Sequence, residues 1–134
     1  MTDNTHPSGV VSTSSVQGTY YSYYAFDGNN STQWRANSYG ASWIEYDFAN
    51  EVRIVCMKYV VEQGRLNAFD VLVSNDSFST STNLYSGDAS GTTSGTVPFI
   101  NSDSYIQHRL NMGASPQQGN RGVVDLQFYG RVDV

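Results

Sequence analysis

The sequence predicts an all-β protein whose strands pair antiparallel in a sandwich or a barrel. Several short segments alternate between apolar and polar side chains, as half-buried strands do. Stretches rich in glycine, asparagine and serine separate these segments. No long stretch repeats apolar side chains at helical spacing. Short alternating strands joined by glycine-rich turns are typical of these two architectures.

The first half of the chain contains three predicted strands. The apolar pair Val10-Val11 marks the first, after a loose serine- and threonine-rich start. Residues 20–24 hold four tyrosines, which suit either a strand or an aromatic surface loop. Residues 42–48 alternate, a turn is predicted at Ala49-Asn50, and residues 52–61 are a β-branched run typical of a central strand.

The second half continues the pattern. Residues 68–74 alternate, with Phe69, Val71 and Val73 expected to face inward. Residues 77–96 predict short edge pieces of weak register. Residues 95–100 suit an edge strand, where proline is tolerated. The last predicted strands are residues 105–112 and 123–130.

Length, charge and composition bound the function. The 134 residues fit one domain, with residues 1–7 expected to be flexible. Twelve acidic and seven basic residues give a net charge of −5, which disfavours nucleic acid and anionic membranes as partners. No apolar run is long enough to span a bilayer and no signal peptide is visible. One cysteine, Cys56, excludes an internal disulfide. The abundant small polar residues and tyrosines suit hydrogen bonding to uncharged polyols. Such a surface is also common in extracellular β-proteins and in virion proteins.

Residues 24–34 combine the oxygen donors that calcium prefers. Asp27, Asn29 and Thr32 offer side-chain oxygens around the turn glycine Gly28. Such a loop could wrap an ion and be anchored by burying Trp34. The alternative is an ordinary polar turn before a core tryptophan.

The sequence lacks the patterns expected of an enzyme. His6 lies in the N-terminal stretch, and His108 falls on the inward side of its strand, where a core histidine is expected. Neither belongs to a nucleophile or metal-catalytic motif. Glu45 and Asp47 share one strand face and resemble a catalytic carboxylate pair, whereas the family resemblance described next implies that this face is exposed sheet.

Five segments together resemble the discoidin, or F5/8 type C, family, which includes the family 32 carbohydrate-binding modules. They are Tyr-Ala-Phe-Asp-Gly-Asn-x-x-Thr-x-Trp at 24–34, Trp-Ile-Glu-Tyr-Asp-Phe at 43–48, Phe-Asp-Val-Leu-Val-Ser-Asn-Asp at 69–76, Tyr-Ile-x-x-Arg-Leu at 105–110 and Asp-Leu-Gln-Phe-Tyr-Gly at 125–130. The resemblance covers roughly residues 8 to 131. It implies a single galactose-binding-like jelly-roll β-sandwich with binding loops at one end.

The resemblance also implies a structural cation, often Ca²⁺, that joins the first loop to the last strand. Its ligands would be the side chains of Asp27, Asn29, Thr32 and Asp125 and the backbone carbonyls of Tyr24 and Val124. Asp125 stands where family members usually have glutamate, which is one methylene longer.

The resemblance places the sugar site on the loops. Arg35 stands where family 32 modules commonly have histidine, and Tyr39 is the implied stacking aromatic. The remaining implied ligands are Arg65, Asn67, Gln118, Asn120 and Arg121. Planar arginine and amide groups can bridge neighbouring hydroxyls, and an aromatic face can cover a pyranose ring. The alternatives without a binding role are that Arg35 is a solvated surface arginine and that Arg65 forms a salt bridge to Glu62. Tyr20, Tyr21 and Tyr23 are alternative contacts, in a loop that other members use as an apolar spike.

Two functions follow as hypotheses. The first is a non-catalytic carbohydrate-binding module that attaches a larger enzyme, adhesin or phage tail protein to cell-surface or polysaccharide glycans, with galactosides and amino sugars as possible ligands. The second is a structural or protein-docking domain of a virion or adhesion appendage, with the tyrosines as its assembly surface. Lipid binding ranks below both because the chain is acidic.

Overall fold

The computed structural model describes residues 9–114 and 119–131, and β-strands make up most of this part of the chain. The strands are β1 (Val10–Thr13), β2 (Trp34–Arg35), β3 (Ser42–Val60), β4 (Ala68–Ser74), β5 (Thr82–Asp88), β6 (Ser94–Pro98), β7 (Tyr105–Met112), β8 (Gly122–Val123) and β9 (Asp125–Arg131). One 3₁₀ helix, Ser22–Phe26, lies between β1 and β2.

The strands form two antiparallel layers that share β3. Its first half lies between β1 and β7, and β4 and β5 complete that layer in the order β1-β3-β7-β4-β5. Its second half lies between β6 and β9. The short strands β2 and β8 pair separately, with Trp34 opposite Val123. This architecture confirms the predicted antiparallel sandwich.

The predicted turn at Ala49-Asn50 is wrong, because β3 continues through it. The pairing of β3 with β7 instead shifts register between Asp47 and Val52. An irregularity of this kind bends a strand without ending it. The two sequence segments therefore form one strand that passes from the first layer into the second.

The core fills the space between the layers. Trp34, together with residues of β3, β7 and β9, is fully or almost fully buried. Phe69, Val71 and Val73 of β4 are buried as predicted, since alternate side chains of a strand face the same side. A single cluster of buried apolar side chains connects both layers.

The stretch 77–96 forms regular strands where only weak register was expected. β5 pairs with β4 along its length, with one shift between Val71 and Leu72. β6 pairs with β3 and ends at Pro98. Among the described strands β6 pairs with β3 alone, which confirms the edge position expected of a strand that contains proline.

The tyrosine-rich stretch forms no strand: Tyr20 and Tyr21 precede the 3₁₀ helix and Tyr23 and Tyr24 lie in it, so the surface-loop interpretation is closer than the strand interpretation. The Tyr21 and Tyr23 rings stack, with centroids 6.0 Å apart and an interplanar angle of 9°. Tyr21 is 44% exposed. Nowhere in the described part of the chain does a helix have the length and apolar character needed to cross a membrane.

His108 is a core residue, as expected. Its side chain is fully buried and meets the Phe48 ring edge-on at 5.0 Å. Nδ1 lies 3.2 Å from the Ile106 carbonyl oxygen, whereas Nε2 has no partner among the described residues. Burial lowers the pKa of His108 to about 4, so the imidazole is neutral at physiological pH.

The expectation that Glu45 lies on exposed sheet is wrong, because Arg109 covers it. The Arg109 guanidinium donates to Glu45 Oε1 at 2.6 Å, and Glu45 is buried. The guanidinium carbon lies 4.0 Å from the ring centroids of both Trp43 and Phe78. The carboxylate is thus held in a structural ion pair between two aromatic rings.

Candidate functional site

Three loops meet at one end of the sandwich, which we call the loop end: residues 36–41, 61–67 and the described part of the β7–β8 loop. Hydrogen bonds fix them to one another. The Arg121 backbone N–H donates to the Ser38 carbonyl at 3.1 Å. Asn120 Nδ2 donates to the Ala36 carbonyl at 2.8 Å. The loops therefore present one continuous surface.

Arg121 lies beneath this surface and is fully buried. Its Nη2 donates to the carbonyls of Gly64 at 2.6 Å and Gly119 at 3.1 Å, and its Nη1 donates to Asn67 Oδ1 at 2.8 Å. All three acceptors are neutral, and Nε has no partner among the described residues. Burial, and to a lesser degree the charge of Arg65, lowers the pKa of Arg121.

Arg121 and Asn67 consequently shape the site from below. Asn67 faces Arg121 with its oxygen, and its Nδ2 donates to Ser90 Oγ at 3.0 Å. The pair connects the β3–β4 and β7–β8 loops to the β5–β6 loop. A fully buried arginine has no surface left for a ligand, so Arg121 positions other residues and does not contact a sugar.

Glu62 brings two arginines together on the exposed side. Arg65 Nε donates to Glu62 Oε2 at 2.6 Å, and Arg35 Nη2 lies 3.2 Å from both carboxylate oxygens. Gln33 Nε2 adds a hydrogen bond of 2.8 Å. The bond from Arg65, followed by that from Gln33, lowers the pKa of Glu62 to about 2. Glu62 is therefore ionised across the physiological range.

Further contacts fix the side chains of Arg35 and Arg65. Arg35 lies over the Tyr20 ring, with its guanidinium carbon 4.1 Å from the ring centroid, and its Nε donates to Gln33 Oε1 at 3.0 Å. Arg65 Nη1 donates to the Asn120 carbonyl at 3.0 Å. Tyr39, on the adjoining loop, is 50% exposed. Fixed donors and an exposed aromatic ring on the same group of loops are the elements from which a sugar site can be built.

The structure places the residues implied by the family resemblance as follows. Arg35, Arg65, Asn67, Asn120 and Arg121 are connected through the hydrogen bonds above, with Tyr39 on the neighbouring loop. Gln118 lies outside the described residues. Arg35 is not a merely solvated arginine, and the alternative salt bridge from Arg65 to Glu62 is present.

The role of Glu62 as the shared partner of two arginines was missed. The three-residue spacing between Glu62 and Arg65 indicated the salt bridge between these two residues. No sequence signal indicated that Arg35, 27 residues earlier, would reach the same carboxylate. The carbonyls of Gly64 and Gly119 were missed as well, because backbone acceptors leave no mark in the sequence.

The predicted ion loop follows the 3₁₀ helix. The Asn29 N–H donates to Asp27 Oδ1 at 2.9 Å, and the Thr32 hydroxyl donates to Asp27 Oδ2. Asn29 Oδ1 accepts from the Ser31 N–H at 2.8 Å. These bonds fold the side chains of Asp27, Asn29 and Thr32 into one tight loop, with Tyr24 in the helix before it.

Asp125, at the start of β9, lies against this loop and follows Val124 directly. Burial, and after it the charge of Asp27, raises the pKa of Asp125, whereas a bond from the Gly28 N–H lowers it. Asp125 Oδ2 accepts from Gln127 Nε2 at 3.1 Å. Oδ1 is buried and has no partner among the described residues.

This donor set fits a hard cation. A buried carboxylate oxygen without a partner, with a second carboxylate nearby, is an arrangement that a cation relieves. Within residues 9–114 and 119–131, no three or more His, Cys, Asp or Glu side chains group as a metal site. A cation here would therefore rest on two carboxylates, completed by neutral oxygens.

The chain belongs to the F5/8 type C domain family, whose model matches residues 10–109. That match confirms the resemblance seen in the sequence. No curated protein matches the sequence significantly.

Several solved structures share the fold, and they are carbohydrate-binding modules. Chitosan-binding module 2 of a chitosanase/glucanase from Paenibacillus sp. IK-5, in complex with chitotriose, is 25% identical, with a TM-score of 0.76 over 91% of this chain and 96% of that one. The family 32 module of AlyQ, in complex with 4,5-unsaturated mannuronic acid, is 21% identical, with a TM-score of 0.77 over 90% and 93%. The family 32 module of C. perfringens NanJ, in complex with galactose, is 13% identical, with a TM-score of 0.76 over 90% and 92%.

Proposed function

We propose that this protein is a non-catalytic carbohydrate-binding module that binds glycans at the loop end. The observation that carries the proposal is the cluster of Arg35, Glu62 and Arg65 at the loop end, which also bears the exposed ring of Tyr39, in a fold shared with carbohydrate-binding modules. The setting we propose is extracellular or on a cell surface or virion. There the module would attach a larger enzyme, adhesin or phage tail protein to its glycan.

The arginines and the tyrosine would act on different parts of a sugar ring. The guanidinium groups can donate to neighbouring hydroxyl oxygens in their fixed planes. The Tyr39 ring can cover the C–H face of a pyranose. Because Arg35 and Arg65 are already held by Glu62, Tyr20 and Asn120, little side-chain entropy is lost on binding.

Tyr39→Ala is expected to weaken glycan binding about tenfold or more, because the stacking face is lost while the fold is retained. Isothermal titration with a ligand selected on a glycan array measures the change. Tyr129→Ala is the matched control, since Tyr129 is 43% exposed on β9 and lies apart from the loop end. A blank array covering galactosides, amino sugars, uronates and bacterial wall polysaccharides would refute carbohydrate binding.

We also propose that Ca²⁺ holds the loop after the 3₁₀ helix to β9. Asp27, Asn29, Thr32 and Asp125 would supply side-chain oxygens, and Tyr24 and Val124 would supply carbonyls. The support is the buried, unpartnered Oδ1 of Asp125 and the proximity of Asp27. The ion would neutralise the two carboxylates and fix the loop, a structural task with no chemical step.

Calcium at about ten times its dissociation constant is expected to stabilise the protein by about 1.4 kcal/mol, or about 5 °C in melting temperature. A chelator should reverse the shift. Asp125→Asn should abolish the response, whereas the exposed Asp103→Asn should keep it. Scanning calorimetry with and without calcium measures all three proteins. An unchanged melting temperature in the parent protein would refute the ion site.

A protein-docking function is the second candidate, and the stacked Tyr21 and Tyr23 rings favour it. Exposed aromatic rings are enriched in protein interfaces. Sedimentation would detect a defined oligomer, and its loss in Tyr21→Ser would support docking through these tyrosines. A monomer that is unaffected by this change, together with glycan binding, would exclude the second candidate.

A further inference from the structure

The loop end is positively charged although the whole chain is acidic. The protein has a net charge of −5. Arg35 and Arg65 share the single carboxylate of Glu62. Arg121, buried directly beneath, has only neutral acceptors. Three cations and one anion leave a local excess of two positive charges, and the charge of Arg121 acts through a poorly solvated interior, where screening is weak.

The two exposed arginines also retain unused donors. Arg35 Nη1 and Arg65 Nη2 have no acceptor among the described residues. Neither arginine is fully enclosed, since the two side chains are 17% and 19% exposed. Both guanidinium groups contact Glu62 Oε2, so they lie side by side. Paired planar donors of this kind match the two oxygens of a carboxylate.

The same arrangement disfavours a cationic amino sugar. Glu62 is the one carboxylate that could bind a sugar ammonium group at the arginine pair, and its charge is already matched by two guanidinium groups and a bond from Gln33. An ammonium group arriving there would meet a net positive field. The charges therefore discriminate among sugars that the fold alone does not distinguish.

We propose that the loop end recognises an acidic sugar of the hexuronate class, whose carboxylate binds the open donors of Arg35 and Arg65 while Tyr39 covers the ring. This inference rests on the proposed carbohydrate-binding function and names its ligand class. Glu62 is then the internal counter-ion that holds the two guanidinium groups side by side and oriented when no ligand is bound.

Titration calorimetry with matched ligands tests the ligand class. The probes are trimers of galacturonate, mannuronate and guluronate, each as the free acid and as the methyl ester, which removes only the charge. At least one acid is expected to bind about tenfold more tightly than its ester at low ionic strength. The difference in affinity should shrink in 0.5 M salt, because salt screens exposed charges and the Debye length falls towards about 3 Å as the salt concentration approaches about 1 M.

Two arginine variants locate the interaction. Arg35→Gln and Arg65→Gln are each expected to weaken binding of the acid about tenfold more than binding of the ester, so that the preference for the acid is lost. Lys58→Gln removes one positive charge from β3, where Lys58 lies over the Tyr129 ring, and controls for the effect of net charge. Thermal melting of each variant checks that it folds.

The outcomes separate this inference from the proposed function. Esters or neutral trimers that bind as tightly as the acids, or binding of chitotriose in preference to the acids, would overturn the hexuronate inference and leave carbohydrate binding standing. An acid preference that survives in both arginine variants would overturn the assigned donors. The absence of binding to acids, esters, neutral sugars and amino sugars would overturn both proposals.

Discussion

Arg121→Met is expected to destabilise the protein by about 3 kcal/mol, because a buried acceptor that loses its partner costs about 1 to 3 kcal/mol. The substitution roughly preserves volume but removes every donor. It leaves the carbonyls of Gly64 and Gly119 and the Asn67 amide oxygen without the guanidinium that joins them. Urea denaturation measures the free energy of unfolding.

Two further variants show whether the lost donors explain the effect. Arg121→Lys keeps the charge but has a single ammonium group, which cannot span three acceptors on separate loops, so an intermediate loss is expected. Arg35→Gln removes an arginine from the surface and should change stability by less than about 1 kcal/mol. An Arg121→Met protein as stable as the parent would show that the loop end does not depend on this residue.

Asp47→Asn is expected to stabilise the protein above neutral pH, by about 2 kcal/mol after allowance for partial exposure. Burial, followed by the neighbouring Glu45, raises the pKa of Asp47 to about 7. Gln107 and Arg109, on the facing strand, lower it in part, and Oδ1 has no partner among the described residues.

The sign follows from the two states. An unfolded aspartate ionises near pH 4, whereas the folded one ionises near pH 7. The parent protein should therefore lose stability as pH rises between these values, and the loss should level off above them. Asp47→Asn should remove this slope and match the parent near pH 4. Chemical denaturation from pH 4 to 8.5 measures it, with Asp103→Asn as control. Parallel curves for parent and variant would contradict the assignment.

The strands could be read from the sequence wherever one face meets the core and the other meets solvent. β4 and β7 show this most clearly, since their observed bounds equal the predicted segments 68–74 and 105–112. Alternation is a local property of the chain, and in these strands burial obeys it. The family resemblance then supplied the sandwich, which alternation alone does not distinguish from a barrel.

The sequence did not predict the burial of Glu45, because this burial depends on residues distant in the chain. Glu45 is buried because Arg109 reaches it from β7 and Phe78 covers Arg109 from another loop. Phe78 does so in a left-handed conformation, with φ of 63°, which bulky residues rarely adopt. The sequence indicates neither the contact between Arg109 and Glu45 nor the contact between Phe78 and Arg109.

In the candidate site, too, local contacts could be predicted from the sequence and long-range contacts could not. The bond from Arg65 to Glu62 spans three residues and was foreseen as an alternative. The burial of Arg121 could not be foreseen, since its acceptors come from two loops more than fifty residues apart. A motif indicates which residue types gather at a site. Packing decides which of them face the ligand and which support it.

The strand shared by both layers has a mechanical consequence for the whole domain. β3 is an inner strand of the larger layer and the central strand of the smaller one. Detaching it from either layer removes the backbone hydrogen bonds of its neighbours there and pulls at the same chain in the other layer. We therefore expect both layers to resist a tensile load along the domain together.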